Sequence, residues 1–223
     1  MLQPLTVNTR YLRNKDIINQ SQLQSVTVIG CGGIGSAIVQ SLAIMGFKEI
    51  ILYDNDTVEQ HNLSTGFFRE ESLMVKKNVV AKRTIQSYNK NTKVIIYDTY
   101  DGQSLSGHTI ICVDSMEPRL MAFESFKQYA KDNSVFVDAR MDALAYEVIT
   151  VKPDDFKIYL SKWQPSTNIP DAPCTMKHTI FTAQIVGGMA VNQLFCAISN
   201  RGYHKYIWHS LGNHKMKREH FSL

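Results

Sequence analysis

Four short apolar runs set the terms on which this chain can fold. SVTVIG (residues 25–30), EIILYD (49–54), KVIIYD (93–98) and TIICVD (109–114) are rich in β-branched residues, and each stops at a glycine or an aspartate. Runs of that length without polar alternation suit strands covered on both faces, as in a parallel sheet. After the first run, SAIVQSLAIMG (36–46) carries small and apolar residues at helical spacing, and Val75 to Tyr88 and Pro118 to Ala130 also read as helices. Strand and helix alternate, which predicts an α/β fold with a doubly wound, mostly parallel sheet of Rossmann type. SVFVDARM, YEVITVKP and FKIYLSKW read as further strands, the last two as an antiparallel C-terminal extension. Thr179 to Ser199 reads as one long buried helix, because Gln184, Asn192, Gln193 and the Gly187-Gly188 pair make it too polar for a membrane span.

In such a sheet ligands bind beyond the carboxyl ends of the parallel strands. Asp54 and Asp114 are therefore expected to face one crevice, although an aspartate after a strand also serves as a turn former or helix cap. Gly30, Gly32 and Gly35, with Gly33 between them, form G-x-G-x-x-G directly after the first strand and at the head of a helix. Backbone N–H groups and the helix dipole favour a phosphate there. Asp54 lies 19 residues past Gly35, where a carboxylate accepts hydrogen bonds from ribose hydroxyls. Together they predict an adenosine-type nucleotide site. The fingerprint alone does not separate ATP from NAD. An NAD-dependent oxidoreductase would need a hydride-transfer pocket, and only the region after Asp138 remains to build one.

A chain of 223 residues, 44% hydrophobic and 20% charged, fits one globular domain. Its expected parts are an N-terminal arm (1–22), a nucleotide-binding core (23–141) and a substrate and cysteine-loop part (142–223). The net charge of +4 is small and gathers at His214, Lys215, Lys217, Arg218 and His220, so the tail reads as solvated and nucleic acid is not an expected partner. Cys31, Cys112, Cys174 and Cys196 form no Cys-x-x-Cys pair, which predicts neither zinc nor a disulfide framework. Reduced thiols, with no signal-peptide core at the N-terminus, predict a cytoplasmic protein without a membrane role.

Several stretches then match one family in order. Arg10-Tyr11-Leu12-Arg13, the loop GCGGIG, Asp54-Asn55-Asp56-Thr57-Val58 with Asn62-Leu63, Lys77 ahead of Asn89, Asp114 with Arg119, and DAPCTMKH around Cys174 all fit. From Arg10 to about Asn192 the chain resembles the ThiF/MoeB/HesA-type adenylyltransferases, bacterial relatives of ubiquitin-activating enzymes. The resemblance implies that a substrate carboxylate attacks the α-phosphorus of Mg-ATP, pyrophosphate leaves and an acyl adenylate forms. It implies Asp54 on the ribose, Asp56 and Asn62 lining the crevice, Lys77 on phosphate oxygens and Asp114 on Mg²⁺. Arg13 would reach the γ-phosphate from a partner subunit, hence a homodimer. The implied substrate is the C-terminus of a small ubiquitin-like or sulfur-carrier protein. In relatives that proceed to a thioester a loop cysteine attacks the adenylate; Cys174 is the candidate, with Lys177 and His178 placed to lower its pKa, and a plain loop cysteine remains the alternative.

The chain also departs from the family pattern. Ser115 stands for an asparagine, Met74 for a glycine, and the stretch Asn62-Leu63-Ser64-Thr65-Gly66 puts Thr65 where the family has a phosphate-binding arginine. Arg69, four residues on, is the expected substitute. Without it, the same fold would serve as a nucleotide-binding adaptor or pseudoenzyme. Arg140 either lines the crevice or pairs at the surface with Asp138 or Asp142.

Overall fold

The computed structural model describes residues 9–153, 155–168 and 178–222. The chain runs β1 (Ser25–Ile29), α1 (Gly33–Met45), β2 (Glu49–Tyr53), α2 (Lys77–Tyr88), β3 (Lys93–Tyr97), β4 (His108–Ile111) and α3 (Met116–Tyr129). It continues through β5 (Phe136–Asp142), β6 (Ala145–Val151), α4 (Lys157–Lys162), α5 (Ile180–Ile198), β7 (Tyr203–Ser210) and β8 (Lys215–Ser222). The eight strands form one sheet in the order β3-β2-β1-β4-β5-β6-β7-β8. Strands β3 to β5 pair in parallel, and β5 to β8 are antiparallel. The predicted doubly wound sheet with an antiparallel extension is therefore present. The order reverses between β1 and β4, which opens a crevice at the carboxyl ends of those strands.

Each face of the sheet carries its own core. On one side Val28, Ile38, Leu42, Leu52, Val148 and Leu194 gather the sheet against α1 and α5. On the other, Ile29, Phe123, Phe126, Phe136, Ile149 and Tyr159 join it to α3 and α4. By length and composition α5 could cross a membrane, yet its buried side packs on the sheet and on α1. A Cβ at Gly187 would come within 2.8 Å of the Ala37 Cβ, so glycine sets how closely the two helices approach.

Three expectations are corrected. FKIYLSKW is not a strand: Lys157–Lys162 forms α4, in which the consecutive Ile158 and Tyr159 are both buried, a pattern that strand alternation cannot give. Its anchor is Tyr159, which stacks on Phe123 with ring centroids 4.0 Å apart and donates a 2.9 Å hydrogen bond to Asp138. The basic C-terminal run is solvated as expected, with His214 to Arg218 exposed, but it is not an irregular tail. It forms the edge strand β8, whose Lys217 pairs with Glu219, with Lys162 on the same carboxylate at 2.9 Å. Finally, Arg140 does pair with Asp138, but in the core: the aspartate is fully buried and the arginine side chain 14% exposed.

Candidate nucleotide site

The glycine loop closes on itself before it can receive anything. Gly30 has φ +99°, and a Cβ there would sit 2.9 Å from the Cys112 carbonyl oxygen, while one at Gly35 would sit 2.1 Å from the Gly30 carbonyl oxygen. Both positions thus require glycine for β1, β4 and α1 to meet. Gly33 is roofed by the loop after β2, since its Cβ would lie 2.7 Å from the Thr65 carbonyl oxygen. Gly32 differs: nothing lies within 4 Å of its Cβ position, and it is the N-cap of α1 with no side-chain cap. The first amides of α1 are thereby left for an anion.

Asp54 is tied to this loop. One carboxylate oxygen accepts the Cys31 N–H at 2.6 Å and the other accepts the Asp56 N–H at 2.9 Å. Burial pushes the Asp54 pKa up, and the two amides together with Lys77 oppose that shift. The loop after β2 folds back on the start of α2: Val58 N–H donates to the Val75 carbonyl and Lys77 N–H to the Asp56 carbonyl at 2.8 Å. That fold places Lys77 Nζ 2.9 Å from an Asp56 carboxylate oxygen, with the lysine side chain only 12% exposed. The glycine loop, Asp54, Asp56 and Lys77 accordingly share one end of the sheet. Met74, on the same connection, has φ +64°, a conformation that suits the family's glycine.

The other expected residues stand at varying distance from this group. Asn62 shapes its own loop, where its side-chain oxygen accepts the Glu59 N–H at 2.9 Å in a reciprocal capping box. Arg69 has an 83% exposed side chain paired with Glu71 at 3.5 Å, and no contact among the described residues joins it to the glycine loop. Asp114 is exposed just past β4, and the preceding Val113 carbonyl is held by the Arg119 guanidinium. Arg13 is exposed in the arm. That arm docks at the far end of α1, where Gln20 Nε2 donates to the Met45 carbonyl at 3.1 Å and Asn89 to the Tyr11 hydroxyl at 3.3 Å. A helix of 13 residues is roughly 20 Å long, so Arg13 stands away from its own glycine loop.

Cys174 and Lys177 lie outside the described residues. The segment leading to them is anchored on the first turn of α3: Trp163 Nε1 donates to the Met116 carbonyl at 3.0 Å, and the Ser166 hydroxyl accepts the Met116 N–H and donates to Glu117. Beyond it, Thr179 and Thr182 both donate to the Ala143 carbonyl at the β5–β6 turn. Cys31 and Cys112 are buried; burial raises both thiol pKa values, Cys112 to about 12, so both stay protonated and act as packing residues.

Sequence reasoning offered an Arg140–Asp138 pair but missed that it is buried and joined by Arg119 and Tyr159 in one cluster beneath Asp114. Asp138 receives Arg119 on one carboxylate oxygen and both Arg140, at 2.8 Å, and Tyr159 on the other. Arg119 also reaches the Val113 and Ala139 carbonyls, and Arg140 the Lys162 carbonyl at 3.1 Å. The signal was the charged alternation Asp138-Ala-Arg140 inside an apolar strand.

A family model described as the ThiF family matches residues 12–222. Over 74 residues the chain is 34% identical to SUMO-activating enzyme subunit 2 of Dictyostelium discoideum, covering 33% of this chain and 11% of that protein. Over 130 residues it is 29% identical to ubiquitin-like modifier-activating enzyme 5 of Bombyx mori, covering 49% of this chain and 33% of that one. The chain thus spans a third or less of the length of these relatives. A crystal structure of PaaA covers the whole chain and 77% of its own at a TM-score of 0.77 and 18% identity. E. coli MccB crystallised with ATP covers 98% of this chain and 73% of its own at 0.71 and 20%. At those identities the likeness is one of fold.

Proposed function

The chain belongs to the ThiF family, and from that premise we propose that it is an ATP-dependent adenylyltransferase activating a polypeptide carboxylate, the C-terminus of a small ubiquitin-like or sulfur-carrier protein. The observation that carries this reading is the convergence of an uncapped helix start at Gly32, the Asp54 carboxylate and the Lys77 ammonium at one end of the sheet. Relatives named as modifier-activating enzymes and a structural neighbour crystallised with ATP support it.

In the reaction a carboxylate oxygen of the substrate forms a bond to the α-phosphorus, and the bond from that phosphorus to the bridging oxygen of pyrophosphate breaks. Both reactants are anions, so the protein's task is positioning and neutralisation. The bare amides of α1 take phosphate oxygens, and Asp54, already oriented by two backbone amides, accepts from the ribose hydroxyls. The phosphates displace the exposed Asp56 carboxylate from Lys77, whose ammonium stays in place, with Asp56 and Asn62 bounding the crevice. Among the described residues no three His, Cys, Asp or Glu side chains gather as a metal site. Mg²⁺ bound to ATP asks less of a protein, one or two carboxylates alongside phosphates and water, and an exposed Asp114 fits that role. When bound, Mg²⁺ would add positive charge beside the phosphates.

Because the arm holds Arg13 away from its own glycine loop, a homodimer in which each Arg13 serves the partner's site is part of the proposal. Cys174 would then attack the adenylate as thiolate, forming a thioester and releasing AMP. A reducing cytoplasm is the proposed setting, on the sequence ground that the four cysteines are widely spaced with no Cys-x-x-Cys pair. ATP–pyrophosphate exchange dependent on a candidate carrier protein tests the first step. Retention of exchange in Cys174→Ala with loss of a reductant-sensitive conjugate tests the second.

A second reading rests on one observation: Thr65 occupies the position of the family arginine, and Arg69 points to Glu71 in solvent. A nucleotide-binding adaptor of the same fold would bind ATP and show no exchange.

A further inference from the structure

At the end of the sheet opposite the glycine loop, where β4 and β5 begin and α5 ends, lies a cavity of about 280 Å³. Gln22, His108, Asn133, Lys152 and Asn200 line it, with Ile198 among its apolar walls. Nucleotides bind Rossmann-type sheets at the other end, so the proposed reaction gives no reason for this concentration of polar side chains.

The chemistry of the lining is one-sided. Among the described residues no carboxylate lines the cavity or pairs with Lys152, whose ammonium rests 5.7 Å from the Tyr203 ring centroid. His108 Nδ1 is buried without a hydrogen-bond partner, which leaves Nε2 as the accessible nitrogen. Burial, and then the charge of Lys152, lower the His108 pKa, so the ring is neutral near pH 7. A buried N–H without an acceptor is the costlier way to orphan a ring nitrogen. The proton therefore belongs on Nε2, where it becomes a donor. A cation, an imidazole N–H and the exposed amides of Asn133 and Asn200, with no opposing carboxylate among the described residues, make a donor-rich open cavity, while Gln22 Nε2 is already given to the Ile198 carbonyl at 3.2 Å.

We propose that this cavity binds a small oxyanion, a carboxylate or phosphate group on a compact molecule, with Lys152 supplying the charge and His108 Nε2 and the Asn133 and Asn200 amides orienting it. Its volume sits at the lower edge of the usual small-molecule range, about 300–1,000 Å³, which restricts the ligand to metabolite size.

The test titrates the full chain with inorganic phosphate and, separately, with succinate while following the His108 ring carbons and protons by NMR. Expected is a saturable shift of the His108 signals for at least one probe, and an upward move of its pKa as the bound anion offsets Lys152. Lys152→Met, and as a second variant Lys152→Gln, should weaken that saturation at least tenfold with unchanged circular dichroism. Whichever probe saturates identifies the group as phosphate or carboxylate. Phosphate taken up by the glycine loop would move the Gly32 and Gly33 amides in every variant and leave His108 still. His108 signals unmoved by both probes, or shifted equally in wild type and both lysine variants, overturn the proposal.

Discussion

Lys77 Nζ lies 2.9 Å from an Asp56 carboxylate oxygen, and this pair ties the first turn of α2 to the loop after β2 beside the glycine loop. The aspartate side chain is 64% exposed and the lysine 12% exposed, so the carboxylate is free to swing into water while the ammonium stays at the site. A phosphate arriving at α1 therefore competes with Asp56 for a cation already in place.

Lys77→Met should accordingly keep its fold and lose turnover. Removing one preorganised electrostatic contact to developing charge typically lowers kcat about 10²–10³-fold. Pyrophosphate exchange, with thermal unfolding as the control, checks this; Asp56→Asn should cost far less, because it removes only the competitor. Equal losses for the two variants would place the pair in the scaffold instead.

Asp54 predicts a nucleotide discrimination. A hydrogen bond to a charged acceptor contributes about 1.5–3 kcal/mol, so wild type should bind ATP roughly 10- to 100-fold more tightly than 2′,3′-dideoxy-ATP. Asp54→Asn should erase most of that preference. Calorimetric titration of both nucleotides against both proteins gives the four affinities, and a preference that survives the substitution would remove the ribose from Asp54.

Arg13 predicts complementation between inactive chains. If each site takes its arginine from the partner, mixing Arg13→Ala with Lys77→Met puts one intact site in every hybrid dimer. About a quarter of wild-type activity should return after subunit exchange at equal amounts. Recovery that never exceeds the sum of the two parents would show that Arg13 acts within its own chain or not at all.

The buried cluster under Asp114 carries a pH signature. Burial alone would raise the Asp138 pKa; Arg119 and Arg140 outweigh it and hold the group below the ordinary carboxylate value. A carboxyl depressed on folding contributes stability that is fully present above the unfolded value, about 3.9, and fades as pH falls through the folded one. Asp138→Asn strands buried arginines and should lower unfolding free energy by about 3–5 kcal/mol near neutrality. Urea unfolding between neutral and acid pH should show that deficit shrinking below about pH 4. A deficit independent of pH would mean the loss is one of packing.

The parallel half of this fold was legible because its signals are local. β-branched runs ending at Gly30, Asp54 and Asp114 show in the chain itself, and glycine spacing announces a backbone that must pass close to its neighbours, as the Gly35 to Gly30 approach confirms. The antiparallel half was harder to read for the opposite reason. Whether FKIYLSKW becomes a strand or α4 depends on Tyr159 finding Asp138 and Phe123, contacts 21 and 36 residues away that no local period encodes. The basic run at 214–220 likewise joins the sheet only because β7 offers it an edge. In the site, Lys77 and Asp56 are brought together by the folding back of the chain between them. The same fold-back leaves Arg69, read as a substitute for the missing arginine, facing solvent.

The account turns on which phosphorus the substrate attacks, and isotope transfer reads that directly. A carrier protein or peptide with ¹⁸O in its C-terminal carboxylate, incubated with ATP, the enzyme and an acceptor thiol or amine, should yield AMP carrying one ¹⁸O, because the adenylated oxygen leaves with the nucleotide. ADP with the label in inorganic phosphate, or bound ATP with no labelled product from a folded protein, would contradict an adenylyltransferase.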